Sequence, residues 1–183
     1  MTNGGTSGSA ASHRIGMHAV YRAALPSDHA FLRAMLYEAF AWRLDIAQPS
    51  QAQALARPEI ARYVDGWLRD GDAGVIAEHA GTAIGAAWYR HFDGDERGYG
   101  FVAAGIPELT IGVAKEARGI GVGTGLLRAL TAHARAAGLP GLSLSVEEDN
   151  PALRLYERSG FQPVGRVDNA WTMLLDLSGA SGG

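Results

Sequence analysis

The chain has 183 residues, 47% of them hydrophobic and 19% charged, with a formal net charge of -3 and no cysteine. Length and composition fit one folded domain with a sizeable core and exclude wholesale disorder or a fibrous fold. The missing thiols exclude disulfides, thiolate zinc sites and a cysteine nucleophile, and the lack of any basic block leaves no footprint for nucleic acid.

Residues 1–12 are small and polar apart from Met1 and read as a flexible tail, as does the Ser-Gly-Ala-Ser-Gly-Gly of 178–183, which leaves a single domain over 13–177. Ala19 to Ala24 is expected to form a short strand. Pro26-Ser27-Asp28 then starts a helix with Phe31, Leu32, Met35, Leu36 and Ala39 on one face. Pro49 to Arg57 breaks the pattern. Pro58 opens a second helix with Ile60, Val64, Trp67 and Leu68 apolar, ended by Asp70-Gly71. Ala73 to His79 and Ala83 to Phe92 read as the arms of a hairpin, and Asp93 to Gly105 as a charged loop. The second half reads strand (Leu109 to Val113), glycine loop, helix (Gly121 to Ala137), strand (Leu142 to Val146), helix (Pro151 to Ser159) and two strands (Phe161 to Val167, Trp171 to Leu177). The order β-α-α-β-β-β-α-β-α-β-β predicts an α/β fold, with helices flanking a central mixed sheet and the chemistry in its second half. No apolar run approaches ~18 residues and no basic start precedes an apolar stretch, so neither a membrane span nor a secretory leader is expected and the chain reads as cytoplasmic.

The segment Arg118-Gly119-Ile120-Gly121-Val122-Gly123-Thr124-Gly125 joins a strand to a helix. Glycines at alternate positions permit positive φ and close approach of a ligand, and the helix start presents free N–H groups to a phosphate. A P-loop would need Gly-Lys-Ser/Thr, which the chain lacks. A dinucleotide fingerprint would need glycine six positions into the motif, where Thr124, Leu126 or Arg128 stands instead.

Arg118-Gly119-Ile120-Gly121-Val122-Gly123 resembles the Gln/Arg-x-x-Gly-x-Gly/Ala loop of the GNAT superfamily of acyl-CoA N-acyltransferases. Asn150-Pro151-Ala152 through Leu155-Tyr156 to Gly160-Phe161 resembles that family's second signature, in order and at a suitable distance. The resemblance implies a GNAT-like fold and an N-acetyltransferase that moves acetyl from acetyl-CoA, without a metal, to a primary amine of a small molecule or peptide. No nucleic-acid or membrane partner is implied, and a homodimer is common in the family. A catalytically silent acyl-CoA sensor is the alternative.

By the same resemblance, Ile111, Gly112 and Val113 would face the pantetheine arm of coenzyme A. The N–H groups of Gly119, Ile120, Gly121, Val122, Gly123 and Thr124 would hold the pyrophosphate. Arg118 would shape the loop or contact phosphate, and Asn150 would touch the pantetheine arm, cap a helix, or both. Tyr156 would protonate the departing thiolate, a phenol titrating near ~10 and so keeping its proton at neutral pH. The base is less defined. Some relatives carry glutamate where this chain has Ser145; Glu108 is the alternative, although strand parity sets it on the opposite face from Ile111 and Val113, and another acid or a water chain would also serve. Glu147 and Glu148 read as helix-dipole partners. Glu38, Trp42, Tyr63, Trp67, Trp88 and Tyr99 are candidates for the acceptor pocket. His18, His29, His79, His91 and His133 show no metal-ligand spacing.

Overall fold

The computed structural model describes residues 18–43, 47–93 and 96–180. The expected tail at 1–12 lies outside them, and of the expected closing tail Ser178–Ala180 form a 3-10 turn. The elements follow the expected order with one helix added, α2: β1 (Val20–Ala23), α1 (His29–Phe40), α2 (Gln51–Leu55), α3 (Pro58–Ala61), β2 (Ala73–His79), β3 (Thr82–Arg90), β4 (Glu108–Val113), α4 (Val122–Ala136), β5 (Gly141–Glu147), α5 (Leu153–Arg158), β6 (Gln162–Val167) and β7 (Ala170–Asp176). Seven strands form one sheet in the order β1-β2-β3-β4-β5-β7-β6. Every neighbouring pair is antiparallel except β4 and β5.

A core lies on each face, which is why the central strands read as continuous apolar runs rather than as alternating ones. On one face Leu126, Leu127, Leu130 and Ala134 of α4 pack with Tyr156 and Phe161 against Val75, Ala87 and Leu109. On the other, Leu32, Met35 and Leu36 of α1 pack with Ile60 and Val64 against Ile76, Ala86 and Trp88. Gly112 lets α1 press on the sheet, because a Cβ there would overlap the carbonyl of Met35. The β2–β3 turn is tight because Ala80 and Gly81 both take positive φ, 49° and 78°, the geometry that a two-residue hairpin favours.

Two helical details depart from the sequence reading. Gln51–Leu55 is helical although Pro49 to Arg57 breaks the apolar pattern. Ser50 caps it: its Oγ accepts from Gln53 N–H at 3.3 Å while Gln53 Oε1 accepts from Ser50 N–H at 2.9 Å, a reciprocal box. The next helix ends at Ala61 rather than running to Leu68. The guanidinium of Arg90 donates to the carbonyls of Arg62 and Asp65, both at 2.7 Å, and Gly66 turns the chain at φ 67°. The carbonyls that a longer helix would use are thereby taken from outside.

Candidate active site

β4 and β5 share one register pair, Glu108 with Ser143, supported by Ser143 N–H donating to Pro107 O at 3.0 Å. Beyond it the strands diverge, and a cavity of about 760 Å³ opens between them. Its walls come from both faces of the sheet: Glu108, Thr110 and Gly112 from one parity of β4, Leu109, Ile111 and Val113 from the other. Glu108 does lie on the opposite strand face from Ile111 and Val113. Because the cleft passes between the strands instead of over them, all three line it.

On the α4 side, Gly119 and Gly121 adopt positive φ, 76° and 94°, and Gly121 stands at the N-cap of α4. No side chain caps this helix, so the N–H groups of its first turn are left for an external acceptor. A Cβ at Gly119 or Gly121 would meet nothing within 4 Å, so the loop backbone is open on that side. Gly119 and Gly123 line the cleft, Val122 is buried beneath it and Ile120 is exposed. Thr124 borders a separate shallow depression beside Arg128 and Thr131.

Arg118 donates from Nε to Val113 O at 3.0 Å and from Nη2 to Glu38 Oε2 at 2.7 Å. Its charge is therefore spent within the chain, tying the glycine loop to the end of β4 and to α1. Asn150 Oδ1 accepts from Ala152 N–H at 2.9 Å, so it organises the turn that leads into α5, and the residue lines the cleft as well. Tyr156 also lines it. Burial holds the Tyr156 phenol well above its ordinary value, and the structure gives it no internal hydrogen-bond partner among the described residues. It therefore keeps its proton at neutral pH.

Across the sheet, Glu108 Oε1 accepts from Tyr63 Oη at 2.6 Å and from Gly100 N–H at 2.8 Å, while buried Oε2 has no donor. Burial pushes this carboxyl up to about 7, against the two hydrogen bonds that favour its charged form. That value suits a base working near neutrality. Tyr63 Oη also accepts from Tyr99 N–H at 2.6 Å, so one hydroxyl links the carboxylate to the loop after β3. Burial, with the neighbouring Glu108 carboxylate, pushes Tyr63 far upward, so it remains neutral. Glycine is required twice in that loop: a Cβ at Gly98 would overlap Glu108 Oε2, and one at Gly100 would overlap the backbone at Leu144 and Ser145.

Of the expected pocket residues, Glu38, Trp42, Tyr63 and Tyr99 line the cleft. Trp88 is fully buried, donating from Nε1 to Tyr63 O at 2.8 Å, and Trp67 Nε1 donates to Leu25 O at 3.2 Å. Ser145 lines the wall, but its strand neighbour Glu147 pairs with Arg43 at 2.8 Å and Glu148 pairs with Arg166 at 2.7 Å. Those two glutamates thus serve ion pairs across loops instead of a helix dipole. Among the described residues no cluster of ligating side chains could hold a metal ion, and no helix is long and apolar enough to cross a membrane.

The model of the acetyltransferase (GNAT) family matches residues 32–161, which contain both signatures and every wall of the cleft named so far. The chain belongs to that family, as its sequence resemblance implied. It is similar to a mycothiol acetyltransferase of Propionibacterium freudenreichii, 32% identical over 120 residues that make up 65% of this chain and 36% of that protein. The chain thus spans well under half the length of the relative. Among solved structures it is similar to ribosomal-protein-alanine N-acetyltransferase from Brucella melitensis, with TM-score 0.63 and 26% identity over 86% of this chain and 99% of that one. The fold is shared as well with yncA from Salmonella typhimurium, solved with its cofactor acetyl-CoA, with TM-score 0.64 and 21% identity over 90% of this chain and 96% of that one.

Proposed function

We propose that the chain is an N-acetyltransferase that moves the acetyl group of acetyl-CoA to a primary amine by direct attack. The observation that carries this reading is one cleft between splayed strands with two unlike ends: an uncapped glycine-rich helix start on one face and a buried carboxylate on the other. A nucleotide-bearing donor fits the first end and an amine the second.

Acetyl-CoA supplies the activated thioester. The N–H groups over Gly119 to Thr124 would hold its pyrophosphate, and the free edge of β4 at Ile111, Gly112 and Val113 would pair with its pantetheine amides and polarise the carbonyl under attack. Asn150 would contact the same arm with the part of its amide not used on Ala152. Arg118 acts through the loop, since its guanidinium is already engaged. Glu108 takes a proton from the incoming ammonium ion, held in place by Tyr63, and Tyr156 gives one to the departing thiolate. The need for acetyl-CoA supports a cytoplasmic setting for the activity.

Two measurements test this. Acetyl-CoA at about 100 times its Kd should add about 2.7 kcal/mol to folding stability, seen as a raised Tm; no shift at millimolar ligand would defeat the reading. Tyr156→Phe should lower kcat about 10²-fold or more while the calorimetric affinity for acetyl-CoA stays unchanged, and an undiminished kcat would remove its acid role.

A further inference from the structure

We infer that the acceptor is a primary amine carried on an apolar body, in its simplest form an arylalkylamine, received as its ammonium ion in the ring-lined half of the cleft beside Glu108. The inference rests on the acetyl-transfer reading and narrows it.

Charge makes the first part of the case. The cleft is lined by the carboxylates of Glu38, Glu108, Glu147 and Asp168 and by the guanidinium groups of Arg57 and Arg118. Arg118 is taken by Glu38 at 2.7 Å, Arg57 by Glu59 at 2.8 Å, and Glu147 by Arg43 at 2.8 Å. Asp168 is exposed at the β6–β7 turn. Among the described residues Glu108 is thus the buried wall carboxylate without a cation, while the wall's two guanidinium groups, Arg57 and Arg118, are each already paired. An ammonium ion supplies the missing countercharge. An acceptor bearing its own anion beside Glu108 would add a second unmatched negative charge next to a buried carboxylate.

The rings make the second part. Phe40, Tyr63 and Tyr99 form a mutual trio with centroids 6.0, 6.2 and 6.4 Å apart. Tyr99 lies nearly parallel to Tyr63, at 11°, yet is 49% exposed. The polar atom of the trio that faces Glu108, Tyr63 Oη, already donates to Glu108 and accepts from Tyr99 N–H. Apart from the Tyr99 hydroxyl, what the trio leaves for a ligand is aromatic face, which suits an apolar body and an adjacent ammonium ion. A polyhydroxylated acceptor would exchange more hydrogen bonds to water there than the ring faces can replace.

Transfer breaks the thioester C–S bond and forms the amide C–N bond. Of the three protons on the ammonium nitrogen, one goes to Glu108, one replaces the proton that Tyr156 gives the thiolate, and one stays on the amide.

The test uses phenethylamine against glutamate and glucosamine. Calorimetry in the presence of coenzyme A reads acceptor binding without turnover, and kcat/KM with acetyl-CoA reads transfer. Phenethylamine should bind, and its kcat/KM should exceed those of glutamate and glucosamine by about 100-fold. Tyr99→Ala, at a half-exposed position, should weaken phenethylamine binding about 3- to 10-fold and leave the acetyl-CoA Tm shift unchanged. No phenethylamine binding, or a higher kcat/KM for either polar amine, overturns the inference; the acetyl-transfer reading then still stands if acetyl-CoA raises Tm and some amine is acetylated.

Discussion

Glu108→Gln is expected to lower kcat/KM for the amine about 10²- to 10⁴-fold, the range general-base catalysis supplies, with acetyl-CoA affinity unchanged. Glutamine is nearly isosteric and can still accept at Oε1 from Tyr63 and Gly100, so the loop after β3 keeps its anchor. What is lost is the basic oxygen. In the unsubstituted protein, kcat/KM should rise with pH through about 7, where the Glu108 carboxyl ionises. That limb should disappear from the variant. A variant that retained both the rate and the limb would exclude Glu108 as the base and leave a water chain or another acid.

Stability carries an independent signature of the same carboxyl. Its folded value, about 7, lies above the ordinary 4.5, so between those two the folded chain holds more proton than the unfolded one. Folding stability therefore falls as pH rises from about 4.5 to about 7, by about 3 kcal/mol at ~1.36 kcal/mol per pH unit. Denaturant midpoints measured from pH 5 to pH 8 should show that decline in the unsubstituted protein and a shallower one in Glu108→Gln. The comparison of slopes is insensitive to whatever fixed cost the glutamine NH₂ incurs beneath Gly98. Loss of stability on ionisation and gain of a neutral-pH base are one fact seen from two sides.

The glycine loop was legible because its physics is local: alternate glycines, a strand before and amphipathic spacing after all fall within one stretch of chain. The β2–β3 hairpin was legible for the same reason. The box at Ser50 and Gln53 was equally local but was masked by Pro49 and the absence of a long apolar stripe. The end of α3 was not legible, since the donor that takes its carbonyls is Arg90, 28 residues from Arg62. The acceptor side was hidden in the same way. Tyr63 and Glu108 are 45 residues apart, and only the packing of α1 and α3 on the sheet brings them together. Parity told correctly which strand face Glu108 occupies; the splay of β4 from β5, which makes both faces part of one cleft, is a property of the sheet and not of either strand.

Asp72→Ala is expected to cost about 3–5 kcal/mol, the largest stability loss of any single exchange considered for this chain, because it strips the countercharge from a buried guanidinium. Both side chains are 1% exposed, and Asp72 meets Arg90 Nε at 3.0 Å and Nη2 at 2.5 Å. For a chain of this length the loss should lower Tm by about 6–20 °C. Arg90 does more than pair: its bonds to the carbonyls of Arg62 and Asp65 hold the turn that carries Tyr63, and Tyr63 holds Glu108. Well below its Tm, the variant should accordingly lose kcat/KM for the amine while binding acetyl-CoA as before. The double exchange Asp72→Ala with Arg90→Met separates the two roles. Removing both charges should recover part of the stability, since an apolar pair avoids the desolvation cost, while the two carbonyls left without a donor keep the rest lost. Amine turnover should therefore stay low in a protein more stable than the Asp72→Ala variant. Recovery of stability together with full turnover would mean that Arg90 does not position Tyr63, and an unchanged denaturant midpoint in Asp72→Ala alone would mean that the pair does not anchor this side of the site.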